Sequence, residues 1–147
     1  MQQKSKLYSL MNRIKNWLVL KKLYLWFAVF WSALIAFLCL MQIENSPFKG
    51  VSNVDKLVHI FFHSVFTLFW FLYFNLRYHN QKFTKTVFIS VLFSFFYGIA
   101  IEILQELFTE SRQADLYDVL ANLFGALLTS IVLRCWFMYS NFRIKNK

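Results

Sequence analysis

The chain has 147 residues, the length of about one domain, and 59% of them are hydrophobic, with 19 Phe but only 3 Gly and 1 Pro. Soluble domains are typically about 45–50% apolar, and a core this small cannot bury the excess, so composition disfavours a soluble fold. The formal net charge is +9, but the basic residues flank long apolar runs. This placement favours an anionic membrane surface, and we expect no nucleic acid as a partner.

Residues 1–22 combine basic side chains with an apolar pattern at helical spacing, and Arg13 and Lys15 fall off the apolar face. We predict a basic amphipathic helix that lies on the membrane surface. The alternative is a disordered basic tail that only sets orientation. With a basic tail at the other end, the predicted organisation is an N-terminal segment 1–22, a membrane domain 23–140 and a cytoplasmic tail 141–147.

Four apolar segments follow, each close to the roughly 20 residues that cross a ~30 Å hydrocarbon core. They are predicted to be helices, because open strands leave unpaired backbone groups in lipid. The first is expected to stay as an anchor, since its apolar run is too long for a cleavable signal peptide. We therefore predict an all-α membrane protein, a four-transmembrane-helix bundle with spans at residues 24–43, 57–76, 87–107 and 116–138.

Orientation follows from the basic residues that flank the spans. Thirteen Lys and Arg lie before the first span, between the second and third, and at the end of the fourth, against three in the other two loops. Basic loops stay in the cytoplasm, so both termini are predicted to be cytoplasmic (N-in/C-in). All seven acidic residues fall at or near the opposite, outer end. The predicted location is the bacterial plasma (inner) membrane, crossed several times.

Polar residues inside spans are costly and are functional candidates by default. Asp55, His59 and His63 are spaced i, i+4, i+8 and share a helical face, and so do Glu102 and Gln105. At about 1.5 Å rise per residue, the polar groups of the last three spans reach the outer third of the membrane, where we predict that they meet in one pocket. The candidate pocket residues are Asp55, Lys56, His59, Glu102, Gln105, Arg112, Asp118 and Asn122.

Several of these residues also have a purely structural explanation. Asp115 is expected to cap the fourth helix, and Asp118 favours its positive end. Gly125 fits ordinary small-residue helix packing. Glu102 has the weakest structural explanation, because a carboxyl at its depth must be paired with Arg112 or a histidine, or be protonated.

The two histidines raise the question of a metal. His59 and His63, one turn apart, would be half of a zinc site if Glu102 supplied a third ligand. No His-Glu-x-x-His pattern, Gly-rich phosphate loop or nucleophile elbow is present in the sequence. We therefore expect no metal and no cofactor, and we assign no catalytic residue.

The order and spacing of the polar residues resemble the VanZ-like family of small bacterial membrane proteins. The pattern is carried by Asp55-Lys56-x-x-His59, Glu102-x-x-Gln105, Arg112 in a short turn, and Asp118-x-x-x-Asn122-x-x-Gly125. The match covers roughly residues 24–137. Two departures are Phe108-Thr109-Glu110-Ser111, where the family often has Pro and Gly, and His63, where it usually has an aromatic residue.

The resemblance implies a cell-envelope protein, and the family's name comes from a protein linked to low-level teicoplanin resistance, but it implies no reaction. We consider three functions. The first is binding or modulating a lipid headgroup or envelope precursor, with Arg112 and Lys56 supplying positive charge. The second is an intramembrane enzyme in which His59 or Glu102 is a general base on a lipid-linked phosphate or ester. The third is a structural bundle. The sequence does not indicate an oligomeric state.

Overall fold

The computed structural model describes residues 2–41, 54–78, 81–108 and 115–146. In these ranges the fold consists of four helices without a strand: α1 (Gln2–Leu40), α2 (Val54–Arg77), α3 (Phe83–Phe108) and α4 (Leu116–Lys145). Each helix is long and apolar enough to cross a membrane. The predicted all-α fold with four membrane-spanning helices is therefore confirmed.

All four helices are longer than the predicted spans, and α1 and α4 exceed them by the most. α1 has 39 residues and α4 has 30, so at 1.5 Å per residue α1 is about 58 Å long, against a hydrocarbon core of about 30 Å. Neither extension contains Gly or Pro, the residues that most readily end a helix. Helix α1 thus continues without a break through residue 22, and α4 continues through residues 141–145. The surface location of residues 1–22 stays a prediction.

The helices alternate in direction, so α1 and α3 end where α2 and α4 begin. We call this the pocket end. There, the side-chain nitrogen Nε2 of Gln105 on α3 donates a hydrogen bond to the carbonyl oxygen of Cys39 on α1, at 3.0 Å. α2 is central and packs against all three other helices, most extensively against α4. In the described ranges α1 packs on α2 and α3 and does not pack on α4.

The surface of the bundle is apolar, and the interior combines apolar clusters around Phe66 and Phe71 with polar side chains. Large apolar side chains such as Phe30, Phe88 and Leu120 face outward. The interior holds a set of buried polar residues: His59, His63, Thr67, Thr86, Ser90, Ser94, Glu102, Gln105, Asp118 and Asn122. An apolar surface, with the polar side chains turned toward the interior, is the arrangement expected when lipid, rather than water, is the solvent.

A close approach of two backbones sets the register of α2 against α4. A Cβ added to Gly125 would collide with the carbonyl oxygen of Ile60 and would lie 3.0 Å from its carbonyl carbon. The hydroxyl of Ser64 donates to the carbonyl oxygen of Gly125 at 3.0 Å, and that of Thr129 donates to the carbonyl oxygen of Ser64 at 2.9 Å. Gly125 is thus a packing residue, and this contact aligns the first turns of α2 and α4.

Candidate functional site

The candidate pocket is a cluster of polar side chains centred on His59, in the second turn of α2. Its imidazole is 3% exposed, and its Nδ1 lies 3.1 Å from Oδ1 of Asn122, in the second turn of α4. The same Nδ1 is 3.8 Å from Oε1 of Glu102, near the end of α3. The structure thus brings together His59, Glu102 and Asn122 from three helices, in the bundle interior, as the helical spacing predicts.

The other side of the imidazole faces α4. Its Nε2 lies 3.9 Å from Oδ2 of Asp118, which is 7% exposed. His59 is therefore placed between two carboxyl groups, one from α3 and one from α4.

Lys56 lies at the rim of the pocket, with its side chain 36% exposed. Its Nζ is 3.7 Å from Oδ2 of Asp115 and 4.0 Å from Oδ1 of Asp118, and it also lies over the ring of Tyr117. Asp115 caps α4 as predicted: its backbone is extended and its Oδ1 accepts a hydrogen bond from the backbone nitrogen of Tyr117. The lysine charge is thus directed at two carboxylates.

The remaining residues predicted for the pocket are Asp55, Gln105 and Arg112. Asp55 is exposed and lies one turn before His59. It forms a group with His59 and Asp118, in which one potential metal-ligand atom of each residue lies within 4.8 Å of the other two. Gln105 is buried against α1 through its bond to Cys39. Arg112 lies outside the described residues.

Some polar atoms in the pocket have no hydrogen-bond partner among the described residues. They include Oε1 of Glu102, Oδ1 of Asp118 and Nδ2 of Asn122, all of them buried. Most buried polar atoms in proteins are hydrogen-bonded, and this holds more strongly where no bulk water can reach them. The unpaired atoms are therefore the part of the pocket that helix packing alone does not explain.

His63 has a separate environment below the pocket. Its Nδ1 lies 2.8 Å from Oγ of Ser94, and its ring stacks on Phe66. Among the described residues, the group whose potential metal-ligand atoms lie within 4.8 Å of one another contains Asp55, His59 and Asp118. His63 and Glu102, the partners that the sequence suggested for a zinc site, are not members of that group.

Ser94 and Gly98 are neighbours of the pocket that were not among the residues predicted from the sequence. A Cβ on Gly98 would lie 2.9 Å from Nδ2 of Asn122 and 3.1 Å from Cε1 of His63, so the absence of a side chain leaves room for both. The signal is present in the sequence. Small or hydroxyl residues recur at every fourth position of α3, on the same helix face as Glu102. They are Thr86, Ser90, Ser94 and Gly98.

Comparison with known proteins identifies the family. No curated protein and no solved structure matches the chain. The family model described as VanZ/LLP1 matches residues 2–138, which is nearly all of the sequence. This multi-pass membrane protein, with its buried His59, Glu102 and Asn122, therefore belongs to the VanZ/LLP1 family.

Proposed function

We propose that the protein binds or modulates a lipid or another cell-envelope component, whose polar headgroup enters the pocket around His59, Glu102 and Asn122 from the outer side of the plasma membrane. The observation that carries this proposal is the set of buried polar atoms without hydrogen-bond partners among the described residues. Each such atom costs about 1–3 kcal/mol in a protein interior. A headgroup that supplies hydrogen bonds to them would offset that cost.

The charges indicate what the headgroup must offer. The described part of the pocket contains the carboxyl groups of Asp55, Glu102, Asp115 and Asp118, and its basic residue, Lys56, already faces two of them. A ligand that brings only negative charge is poorly matched to this arrangement. A headgroup with hydrogen-bond donors or a cation beside its phosphate satisfies the carboxylates and leaves the rim lysine to contact the phosphate.

The structural-bundle alternative accounts for a different set of residues. Ser64, Thr129 and Gln105 each donate to a backbone carbonyl of a neighbouring helix, which is how polar side chains hold membrane helices together. Glu102 and Asp118 keep an oxygen without such a donor. A purely structural role therefore explains the first three residues, and the helix dipole and Lys56 account in part for Asp118. It leaves the buried carboxyl group of Glu102 unexplained.

The position of His59 between two carboxyl groups favours an enzyme as the second candidate function. An imidazole oriented by a carboxylate is a common general base. In this case the bound lipid-linked phosphate or ester would be cleaved, and the products would be detected by mass spectrometry after incubation with purified protein. Retention of an intact lipid supports the binding function.

Native mass spectrometry of gently purified protein tests the proposal. We expect a lipid or envelope precursor to co-purify with the wild-type chain and to be lost, by at least about tenfold, from Glu102→Ala, because a tenfold change needs only ~1.4 kcal/mol. The matched control is Glu106→Ala, which removes an exposed carboxylate from the same end of α3. Equal lipid retention by both variants would contradict the pocket as the binding site.

The outward orientation of the pocket has its own test. In a background without Cys39 and Cys135, Gly50→Cys and Ser111→Cys should react with a membrane-impermeant thiol reagent applied from outside. Asn80→Cys and Asn146→Cys should not react, because thirteen of the sixteen basic residues flank the cytoplasmic side of the spans. Labelling of position 80 from outside would overturn the orientation.

A further inference from the structure

Three side chains with metal-binding atoms converge at the pocket end. Asp55 and His59 are one turn apart on α2, and Asp118 is in the first turn of α4. One potential ligand atom from each lies within 4.8 Å of the other two. A single point then lies within about 2.8 Å of all three atoms, so side-chain shifts of roughly 0.6–0.8 Å would give the ~2.0–2.2 Å distances of a zinc site.

A hydrogen bond to Asn122 orients the His59 imidazole so that its Nε2 is available to bind a metal ion. The amide oxygen of Asn122 only accepts hydrogen bonds, so its contact at 3.1 Å places the imidazole proton on Nδ1. Nε2 then carries the lone pair, and it faces Oδ2 of Asp118 at 3.9 Å. Two electron-pair donors that face each other at this distance are stabilised by a cation between them. Metal-ligating histidines typically donate their other N–H to an oxygen in this way.

Glu102 provides a second, independent observation. Its carboxyl group is 3% exposed, and its Oε1 has no hydrogen-bond partner among the described residues and lies 3.8 Å from Nδ1 of His59. It comes from α3 and is not one of the three converging ligands. A carboxylate behind a ligating imidazole strengthens the basicity of the ring and is a recurrent outer-shell group of metal sites.

Helix dipoles explain only part of the cluster. Asp55 and Asp118 lie in the first turns of their helices, where the positive end of the helix dipole stabilises negative charge. Glu102 lies toward the end of α3, where the dipole offers a carboxylate no support. The dipole also gives no reason for a buried imidazole between two carboxyl groups.

We propose that Asp55, His59 and Asp118 bind a divalent transition-metal ion of the zinc class, with Asn122 orienting the imidazole by a hydrogen bond and the Glu102 carboxyl group close to the ring. The mixture of one nitrogen and two oxygen ligands suits zinc better than magnesium or calcium, which take oxygen ligands. The site does not depend on lipid binding. With a lipid present, the open coordination positions of the metal ion would accept a phosphate oxygen. The positive metal ion would then allow a negatively charged phosphate to bind among the acidic residues.

The proposal is tested by measuring zinc binding to the purified full chain in detergent, by equilibrium dialysis and elemental analysis. The measurement uses a Cys135→Ser background, which removes an exposed thiol. We expect saturable binding of one Zn²⁺ per chain, without competition by an equal concentration of Mg²⁺. Asp55→Asn should weaken zinc binding at least about tenfold, and Asn122→Ala about 10–100-fold, as typical for an outer-shell partner. Asp55 is exposed, so its replacement should leave the helical circular dichroism spectrum unchanged.

The matched control is Glu106→Gln, which removes one exposed carboxylate from the same end of the bundle and should bind zinc like the wild type. The proposal is overturned if the wild-type chain shows no saturable zinc binding, or if Asp55→Asn binds zinc as tightly as the wild type. Lipid retention measured separately, with and without a chelator, distinguishes the two proposals. Zinc binding without a co-purifying lipid contradicts only the lipid proposal, and the reverse result contradicts only the metal site.

Discussion

Replacing Gly125 with leucine is expected to remove most of the folded protein from the membrane. The first side-chain atom would already collide with the carbonyl oxygen of Ile60 and approach its carbonyl carbon to 3.0 Å. These are backbone atoms of α2, so no rotamer change can relieve the contact, and the two helices must separate. Overpacking a buried site typically costs about 1–3 kcal/mol, and we expect leucine at the upper end of this range or beyond it.

Membrane abundance and the midpoint of unfolding in a denaturing detergent measure this effect, and Gly98→Ala is the comparison. A Cβ at Gly98 meets side-chain atoms, Nδ2 of Asn122 at 2.9 Å and Cε1 of His63 at 3.1 Å, and these can move. We therefore expect Gly98→Ala to remain abundant while it disturbs the bond between Asn122 and His59. Normal abundance of Gly125→Leu would show that the α2–α4 contact is not as close as described.

The second large effect concerns function rather than folding. We expect Glu102→Gln, Arg112→Ala and Asn122→Ala to reduce lipid retention at least about tenfold while membrane abundance stays near that of the wild type. Membrane abundance should be retained because a single side-chain hydrogen bond contributes little to the stability of the bundle. Side-chain hydrogen bonds between membrane helices average ~0.6 kcal/mol and reach ~1.7 kcal/mol, so loss of the Asn122–His59 bond should not unfold the bundle.

The same substitutions separate the binding function from the structural alternative. Ser64→Ala removes a hydroxyl that bridges α2 and α4 without contributing to the pocket, and it should lower stability slightly while lipid retention stays normal. A chain that carries all three pocket substitutions and still retains its lipid, at normal abundance, would exclude the pocket as the functional site. The polar residues would then serve only to hold the helices together.

Arg112 adds a test of charge geometry. A guanidinium forms paired hydrogen bonds with a carboxylate or phosphate, whereas an ammonium group acts as a point charge. If Arg112 makes such a paired contact, Arg112→Lys should restore only part of the lipid retention that Arg112→Ala loses. Full restoration by lysine would indicate simple attraction of the headgroup.

The number of helices and the faces on which polar residues lie could be predicted from the sequence because both are local properties. A span needs only a run of apolar residues of the right length, and positions four apart share a face whatever surrounds the helix. His59, Glu102 and Asn122 were identified on this basis. The helix ends were less predictable, since α1 and α4 extend beyond the apolar runs through polar segments without Gly or Pro.

Only the tertiary structure determines which atoms of those residues meet. The contact of Gly125 with Ile60 sets the register between α2 and α4, and that register places Asp118 at Nε2 of His59 and Asn122 at Nδ1. Gln105, which follows Glu102 by three residues, instead reaches the carbonyl of Cys39 on α1. Register between helices depends on side-chain volumes at contacts distant in sequence, and the pattern within a single span contains no information about its neighbour.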